Sequence, residues 1–369
     1  MRLAVTGPNG FLAWHVRCAW RARTGTDAVL IDREHFEDPS AMSLVLQGVD
    51  AVIHLAAINR GVPDDEIKAT NALLAEALVR GVVDSGGTAF VVHANSIHSE
   101  GSSAFGESKR GAYEILSLLN EKGVGVADVV LPNVFGEHGR PNYNSFVATF
   151  CAQLAHGTED PSVIEDRRVP LLHAQEVAAL LIDAAVARKS EALRPSAHEH
   201  LVSDVLARLR EVAQLYQTGQ LPDLSEPFDR DLLNTYRSHA FPSNMPMFPD
   251  AMTDQRGRLV EAVRARGGQA QVFFSSTKPG MTRGQHFHLR KVERFLVMSG
   301  SARIHLRRMF TDDVITFEVN GSRPAIVDMP TMWAHSIENP GESDVVTLFY
   351  ADQVFNPLDP DTFPEAVIR

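Results

Sequence analysis

Three histidines and one glutamate in the last quarter of the chain constrain its fold more than any other feature. His286 and His288 are two residues apart, so on a β-strand both side chains leave the same face. Glu293 follows shortly afterwards, and His335 lies far downstream. These groups can meet only if the strands that carry them belong to a sheet that closes on itself. Three imidazoles and one carboxylate suit a divalent transition ion, so the sequence predicts a metal site with His286, His288, Glu293 and His335 as ligands.

The residues around these four side chains resemble the two motifs of the cupin family, G-x5-H-x-H-x4-E-x6-G and P-x-G-x2-H-x3-N. The first motif matches in full from Gly280 to Gly300, and the second runs from Pro330 to Asn339. Met332 replaces the glycine of the second motif, so we expect a reshaped turn that retains the ligand. The resemblance implies an all-β jelly-roll domain that holds a metal. Short predicted strands between residue 259 and the end of the chain agree with that fold.

Length and composition limit the possible classes of protein. The 369 residues suffice for two domains, and 44% hydrophobic with 22% charged residues is typical of globular proteins. The 35 basic and 46 acidic residues give a net charge of −11, which argues against nucleic-acid binding. Cys18 and Cys151 fall in apolar helical patterns, which predicts buried free thiols. We see neither a signal-peptide pattern nor an apolar run near the roughly 18 residues of a membrane span. We therefore expect a cytoplasmic enzyme that does not insert into membranes.

The beginning of the chain has the pattern of a nucleotide-binding domain. A short apolar strand precedes a glycine-rich turn and a helical stretch, Gly7-Pro8-Asn9-Gly10-Phe11-Leu12-Ala13 and onward. Such a turn lets the backbone approach a pyrophosphate, and the helix N-terminus supplies N–H donors. Further strands are predicted at residues 28–32, 50–57 and 90–96, with helical segments between them. Alternating strands and helices predict an α/β fold with a parallel, doubly wound sheet.

This part resembles the extended short-chain dehydrogenase/reductase family up to about residue 240. The resemblance is carried by T-G-x-x-G-F-L-A, H-L-A-A, the strand that ends at Ser96, and Leu131-Pro-Asn-Val-Phe-Gly136. It implies a Rossmann-type domain that binds NAD(P). Asp32 favours NAD by accepting hydrogen bonds from the adenosine ribose, whereas Arg33 favours NADP by binding a 2′-phosphate. The predicted cofactor-binding residues are Gly7, Asn9, Gly10, Phe11, Leu12, Asp32, Arg33, Leu55, Ala56 and Lys109.

One catalytic position departs from that family, which uses Ser or Thr, Tyr and Lys with the spacing Y-x-x-x-K. Ser96 and Lys109 match the first and last positions, but Phe105 stands at the tyrosine position. Reduction of a ketone produces an alkoxide that needs a proton, and Phe105 cannot supply one. A positioned general acid contributes roughly 10²–10⁴-fold in rate, so we expect impaired reduction. Three explanations stay open: an inactivated variant, another donor such as Ser96, His98 or a water held by Lys109, or a domain that only binds cofactor and substrate.

The order of the two domains, together with the segment at 131–151 and the tail from Asn356, resembles the CapF family of bifunctional capsular-polysaccharide enzymes. The resemblance implies a UDP-linked 4-keto-6-deoxy-HexNAc substrate. The cupin domain would epimerise C3, and the reductase domain would reduce the C4 ketone with NADPH, with NADH as the other possibility. The product would be a UDP-2-acetamido-2,6-dideoxy-L-hexose of the L-talose series. The resemblance also implies zinc, although these ligands suit other divalent transition metals, and a homodimer.

Four further residues are predicted to contact the substrate. Asn133 lies in the segment that matches the substrate region of extended reductases, and Arg140 follows it. Lys278 and Arg283 flank the predicted ligand strand and could hold the diphosphate. Pro-rich segments at 222–228 and 241–249 indicate connections between domains. We therefore expect a reductase domain over residues 1–250 and a cupin domain over residues 251–369.

Two other functions are compatible with the sequence. A cupin with three histidines and one glutamate can host iron-dependent oxygen chemistry, with the first domain as its reductase. Redox-active iron and consumption of oxygen would favour that function. The chain could instead be a non-catalytic protein that binds a nucleotide sugar. Phe105 favours that interpretation, and the complete metal motif disfavours it.

Overall fold

The computed structural model describes residues 1–368 and divides the chain into two compact units. The first unit comprises Met1–Val134 and Val169–Glu199. The second unit comprises Phe135–Arg168 and the described residues from His200 onward. Across the described residues, no helix combines the length and the apolar character that a membrane span requires. Cys18 and Cys151 are free and buried, as the sequence predicted.

The first nine strands run from the N-terminus to residue 201. They are β1 (Leu3–Thr6), β2 (Val29–Ile31), β3 (Ala51–His54), β4 (Phe90–Ser96), β5 (Val126–Leu131), β6 (Asn133–Phe135), β7 (Arg168–His173), β8 (Ala192–Leu193) and β9 (His198–Leu201). The helices are α1 (Phe11–Thr24), α2 (Arg33–Glu37), α3 (Pro39–Leu46), α4 (Asp64–Asp84), α5 (Ala104–Ser117), α6 (Phe146–His156), α7 (Ala174–Ala187), α8 (Val202–Gln217) and α9 (Pro227–Ala240). Short 3₁₀ helices cover Ile97–Glu100 and Asn120–Lys122.

A six-stranded parallel sheet forms the centre of the first unit, in the order β2-β1-β3-β4-β5-β8. Its strands are almost continuously apolar because helices cover both faces. Val5, Ile53 and Val92 share one core with residues of α1 and α7. Val52 and Val91 share a second core with residues of α3, α4 and α5. The predicted doubly wound Rossmann-type fold is confirmed.

The second unit contains most of the remaining strands. They are β10 (Leu221–Asp223), β11 (Ala251–Asp254), β12 (Gly257–Val260), β13 (Ala265–Gly267), β14 (Gln271–Thr277), β15 (Thr282–Phe287), β16 (Glu293–Ser299), β17 (Ser301–Arg308), β18 (Val314–Asn320), β19 (Ile326–Met329), β20 (Trp333–Glu338), β21 (Val345–Ala351) and β22 (Phe363–Pro364). Two antiparallel sheets dominate, with the orders β14-β21-β16-β19 and β18-β17-β20-β15-β22. Phe295 and Phe349 of one sheet share a core with Ile304 and Ile337 of the other. This sandwich confirms the predicted all-β jelly-roll architecture.

A buried ionic cluster joins α9 to the sandwich inside the second unit. Arg294 donates two hydrogen bonds to Asp328, at 2.6 and 3.0 Å, and Arg237 of α9 donates to the carbonyl of Met329 at 2.6 Å. The side chains of Arg237, Arg294 and Asp328 are each 1% exposed. A charge at such depth is tolerated because it is paired and hydrogen-bonded. Residues before and after position 250 therefore share one interior in this unit.

Candidate functional site

The four predicted metal ligands converge in the interior of the second unit. His286 lies in β15, Glu293 begins β16 and His335 lies in β20, while His288 follows directly after β15. Nε2 of His335 lies 3.1 Å from Nε2 of His286 and 3.2 Å from Oε2 of Glu293. Nε2 of His288 lies 3.1 Å from the same carboxylate oxygen. All four ligand atoms lie within 4.8 Å of one another, which fits a single ion of the predicted type.

A β-bulge aims His286 at this cluster. Gly284 pairs with Ser336, and His286, two residues further on, pairs with His335. In a regular ladder Gln285 would stand opposite His335, so the extra residue places the imidazole on the inner face. Gln285 has φ 62°, and its side-chain oxygen accepts a hydrogen bond from the backbone N–H of Val367 at 2.8 Å. The tail of the chain thus holds the bulge.

Backbone carbonyls fix the orientation of two imidazoles. Nδ1 of His288 donates to the carbonyl of Asp361 at 2.5 Å, and Nδ1 of His335 donates to the carbonyl of Trp333 at 3.1 Å. A carbonyl only accepts, so each Nδ1 carries a proton and each Nε2 faces the cluster. The two rings are thus oriented to bind a metal through Nε2.

The electrostatics of the cluster also suit a cation. Burial, followed by the neighbouring His335 and His288, lowers the pKa of His286 to about 3. Burial likewise lowers the pKa of His335. Burial alone would raise the pKa of Glu293, but the contacts with His288 and His335 hold it well below its usual value. The cluster therefore offers neutral imidazoles at His286 and His335 and an ionised carboxylate at Glu293, the protonation states in which these groups bind metals.

Met332 occupies the glycine position of the second motif without losing its turn. Its φ is 60°, in the left-handed region that favours glycine, and its side chain is fully buried. Its N–H donates to the carbonyl of His288 at 2.7 Å, and its carbonyl accepts from Met309 at 3.1 Å. The ligand His335 follows this turn, in which Met332 adopts a backbone conformation that glycine takes more readily.

The sequence analysis missed Asp361, which organises the loop after β15. Its carboxylate accepts the backbone N–H groups of Leu289, Arg290 and Lys291 at 3.0, 2.9 and 2.7 Å, while its carbonyl holds His288. Its φ of 43° is also left-handed. The sequence marked only the tail that contains Asp361 and not this residue's role. The reason is that Asp361 and His288, which are in contact, lie more than seventy positions apart in sequence.

A cavity of about 240 Å³ reaches Glu293. It is smaller than the roughly 300–1,000 Å³ of pockets for drug-sized ligands, so it suits one sugar ring better than a whole sugar nucleotide. Polar, aromatic and small apolar residues line it: Gln271, Phe273, Lys291, Glu293, Ala351, Gln353, Phe355 and Pro360. Sugar rings have both hydroxyl groups and apolar faces, and this lining offers partners for each.

In the first unit, the predicted phosphate-binding turn connects β1 to α1. Gly7 has φ 62°, and a Cβ there would lie 3.1 Å from Cα of Ala56, so the close approach requires glycine. Gly10 precedes α1 without a side-chain cap, which leaves N–H groups of the first helical turn for an anion. Asn9 is exposed, and Phe11 and Leu12 are half-buried. After β3, the N–H groups of Leu55 and Ala56 both donate to Oγ1 of Thr6 at 2.9 Å, which fixes the facing turn.

Two charged residues follow β2, where the sequence predicts contact with the adenosine ribose. Asp32 is 2.7 Å from Nδ1 of His35, and this hydrogen bond lowers the pKa of its carboxyl group. Arg33 has a 91% exposed side chain, and its Nε donates to Glu37 at 2.7 Å. The carboxylate is thus held as an ionised acceptor, and the guanidinium is accessible to a phosphate.

The predicted catalytic residues lie on β4 and α5. Ser96 ends β4, and its Oγ accepts from the N–H of His98 at 3.2 Å. Phe105 and Lys109 are one helical turn apart on α5, so they project from the same side. Phe105 is half-buried, and Lys109 is 5% exposed. Burial lowers the pKa of Lys109 to about 8, and Asp128 partly opposes the shift.

The four predicted substrate residues are divided between the two units. Asn133 belongs to the first unit, where its Nδ2 donates to the carbonyl of Pro170 at 3.3 Å. Arg140, Lys278 and Arg283 belong to the second unit and are exposed. Arg140 lies 5.0 Å above the ring of Tyr143, and Nε of Arg283 donates to the carbonyl of Ser276 at 3.2 Å. Their common role at one substrate stays a prediction.

Comparisons with known proteins extend over the whole chain. The model of the NAD dependent epimerase/dehydratase family matches residues 3–195, and that of the polysaccharide biosynthesis C-terminal domain matches residues 252–363. A curated relative from Pseudomonas aeruginosa, UDP-2-acetamido-2,6-beta-L-arabino-hexul-4-ose reductase, is 31% identical over 371 residues, 98% of each chain. The crystal structure of capsular polysaccharide assembling protein CapF from Staphylococcus aureus is 26% identical, with full coverage of both chains and a TM-score of 0.60. UDP-N-acetylglucosamine 4-epimerase from Bacillus cereus covers 58% of this chain and 82% of its own at 19% identity and a TM-score of 0.51, which supports the fold alone.

Proposed function

The chain belongs to the NAD dependent epimerase/dehydratase family, joined to a polysaccharide biosynthesis C-terminal domain, and on that premise we propose a bifunctional nucleotide-sugar enzyme. A cupin domain over residues 251–369 epimerises C3 of a UDP-2-acetamido-2,6-dideoxy-4-hexulose. A reductase domain over residues 1–250 reduces the C4 ketone with NADPH, or with NADH. The product is a UDP-2-acetamido-2,6-dideoxy-L-hexose of the L-talose series for capsule or O-antigen synthesis. The cluster of four ligands beside a sugar-sized cavity carries this proposal, and the family match that begins at residue 252 supports the boundary.

Epimerisation at C3 depends on the ketone at C4. The C3 proton is acidic because the neighbouring carbonyl can take the negative charge that its removal leaves. His286, His288, Glu293 and His335 would hold a divalent metal, for which we propose zinc, and such an ion would supply Lewis-acid stabilisation of that oxygen. The chain itself contributes orientation, because Asp361 and the bulge at Gln285 fix the imidazoles.

Arg283 supports a diphosphate position next to this site. It pairs with Ile337 across β15 and β20, and directly paired residues share one face of the sheet. Ile337 points into the core, so Arg283 leaves from the same face as the metal ligands. Its exposed guanidinium could reach a phosphate while the sugar occupies the cavity. Lys278 lies in the adjoining turn and adds a second positive charge.

The reductase domain supplies a pyrophosphate-binding turn and a buried lysine. Gly7 and Gly10 shape that turn, and the first turn of α1 offers N–H donors. Asp32 or Arg33 would bind the adenosine ribose, and the nicotinamide cofactor supplies the hydride when bound. Ser96 and Lys109 would orient the ketone, with Asn133 and Arg140 on the sugar nucleotide. Phe105 offers the ketone no proton.

Deuterium exchange tests the epimerase assignment. The purified protein is incubated with the UDP-4-keto-6-deoxy-HexNAc in heavy water, and exchange at C3 is followed by NMR while the metal is quantified by mass spectrometry. We expect exchange in the wild type, and its loss with a chelator or in His288→Ala. His305→Ala is the matched control, because His305 bonds Thr316 and Glu338 on the other face of the sandwich. Exchange that persists without metal would refute the proposal, and iron with consumption of oxygen would favour an oxygenase.

We also propose a homodimer. The edge strand β14 exposes large apolar side chains, with Val272 at 55% and Phe274 at 73%. An exposed apolar edge strand is a common site of self-association. Light scattering should give twice the chain mass, and Phe274→Asp should shift the species toward the monomer. A wild type that is monomeric at micromolar concentration would rule out this arrangement.

A further inference from the structure

One face of the parallel sheet carries a row of polar side chains inside an apolar layer. His54, His93 and Asp128 are directly paired on β3, β4 and β5, and Nδ1 of His54 lies 3.0 Å from Oγ1 of Thr6 on β1. These four residues are between 0% and 5% exposed. The parallel row two residues earlier on the same strands is entirely apolar: Ala4, Val52, Val91 and Val126. Burial of polar groups costs free energy that apolar side chains would not, so the row indicates a role beyond packing.

Lys109 of α5 supplies the positive charge that acts on this row. Burial, followed by the charge of Lys109, lowers the pKa of His54 to about 3, and the same two causes lower the pKa of His93 well below its usual value. Both histidines are therefore neutral at physiological pH. Asp128 has the opposite effect, because its negative charge favours the ammonium form of Lys109. The row thus leaves the lysine as the group that carries an exchangeable proton near neutral pH.

Asp128 is also connected to the predicted catalytic serine. Its Oδ2 accepts from Nδ2 of Asn95 at 3.0 Å, and Oδ1 of Asn95 accepts from the N–H of Ser96 at 2.8 Å. Oδ1 of Asp128 is buried and has no hydrogen-bond partner within residues 1–368. A buried carboxylate oxygen without a partner is costly, and the ammonium of Lys109 is the cation whose charge it offsets.

We propose that Lys109 itself donates the proton to the C4 oxygen during reduction, and that Asp128 is a positioning residue that holds the charge of this lysine. The inference rests on the proposed reductase function and explains how Phe105 is tolerated. As hydride bonds to C4, the electron pair of the carbonyl moves to oxygen. That oxygen takes a proton from Nζ: one N–H bond breaks, one O–H bond forms, and a neutral amine remains. Solvent then returns the proton to the amine. Phe105 and Lys109 share one side of α5, so the ammonium projects from the side that the absent phenol would occupy.

The pH dependence of this step follows from the groups around α5. A lysine that acts as an acid works below its pKa, so the rate should fall as pH rises past about 8. Removal of Asp128 takes away a charge that raises this pKa, so the fall should begin at lower pH. Titratable groups on or near the helix include Tyr113, Arg110 and Glu114 of α5, the histidines His54 and His93, and the surface pair of Lys68 with Glu107. The two histidines are already neutral in this range, so they do not produce the fall.

Lysine substitutions separate proton transfer from charge. Turnover of NADPH with the 4-keto sugar nucleotide is measured for the full chain, and cofactor affinity is measured by fluorescence titration. Lys109→Met and Lys109→Arg should both lose roughly 100-fold or more in kcat. Arginine keeps the positive charge but does not release its proton in this range, so an equal loss identifies proton transfer. Lys68→Met, on the surface of α4, should match the wild type. A Lys109→Arg enzyme within roughly threefold of wild-type kcat would overturn the inference.

Asp128→Asn tests the proposed positioning role of Asp128 through the pH profile of kcat. We expect the alkaline fall to move to lower pH at an unchanged melting temperature. If this variant does not fold, Asn95→Ala tests the same point: burial raises the pKa of Asp128, and the hydrogen bond from Asn95 opposes that rise, so its loss weakens the negative charge beside Lys109. An alkaline fall that stays in place overturns the inference. A wild type that oxidises no NADPH with the ketone refutes the reductase function as well, whereas an active wild type with an active Lys109→Arg refutes the lysine donor alone.

Discussion

Met332 and Phe105 are two positions where the domains depart from their family motifs, and the departures differ in kind. Met332 replaces a glycine whose role is conformational. The backbone adopts the left-handed conformation anyway, at a cost of roughly 1–2 kcal/mol for a residue with a Cβ, and the buried side chain offsets it. Phe105 replaces a hydroxyl whose role is chemical, and no adjustment of the backbone creates a proton donor. Packing can therefore absorb the first departure, whereas the second requires another residue to act.

The two sites also differ in how their charges are arranged. In the second unit, three imidazoles surround one carboxylate, and their ligand atoms lie within 4.8 Å of one another. In the first unit, neutral histidines and one carboxylate form a row along the sheet beneath a single lysine. The compact cluster is suited to hold a cation in a fixed place. The row of His54, His93 and Asp128 is suited to a site where the charge changes, because the buried ammonium group of Lys109 gains and loses its proton.

Removal of the carboxylate from the compact cluster should give the largest effect. Glu293→Gln keeps the shape of the side chain but removes its negative charge. Loss of an outer-shell partner alone costs 10–100-fold in metal affinity, so we expect a loss of at least about 100-fold here. Zinc content after dialysis against graded zinc buffers measures this, and C3 exchange should disappear with the metal.

Glu338→Gln is the matched control for that variant. Glu338 also lies near a histidine, with His305 at 3.1 Å, but on the outer face of the sandwich. It should bind zinc like the wild type. Equal zinc content in Glu293→Gln and Glu338→Gln would show that the metal binds elsewhere.

Restoration of the missing phenol should give a smaller effect, and one that depends on pH. Phe105→Tyr adds a donor with an ordinary pKa near 10, which keeps its proton after Lys109 has lost its own. We expect a gain in kcat of about tenfold at pH 9 and a smaller gain at pH 7, since a positioned acid contributes 10²–10⁴-fold only where none acts already. Steady-state oxidation of NADPH at the two pH values measures the gain.

Phe105→Leu controls for changes in packing at this position, because it offers no donor and should show no gain at either pH. A tyrosine variant whose gain is equal at pH 7 and pH 9 would contradict a lysine donor. It would indicate that proton transfer in the wild type does not depend on the ionisation of Lys109.

The metal ligands could be predicted because local spacing encodes their direction. His286 and His288 share a face of any strand, and the glycines of the motif mark where its turns lie. The glycine-rich turn at Gly7 could be predicted for the same reason. The row of His54, His93 and Asp128 could not, because it exists only through the register of three strands that are distant in sequence. Asp361 was missed because its contacts with the ligand loop depend on where the tail folds.

Two substitutions at Met332 isolate the stability cost of the left-handed backbone at this position. Their difference in stability is the smallest of the expected effects. Met332→Ala and Met332→Gly both lose a buried side chain, at a cost of roughly 2–5 kcal/mol. Only glycine relieves the left-handed strain, so we expect the glycine variant to be more stable than the alanine variant by about 1 kcal/mol. At an exposed helical site the order is reversed by a similar amount, so the sign alone is informative.

Differential scanning calorimetry of the full chain measures this difference. The transition of the second unit is identified by its rise on addition of zinc, because a ligand that binds only the folded state stabilises it. A difference of about 1 kcal/mol corresponds to roughly 2–4 °C for a domain of 150–250 residues. An alanine variant that melts at or above the glycine variant would mean that the turn at position 332 is not strained. Met332 would then be a neutral replacement, and the contrast with Phe105 would rest on chemistry alone.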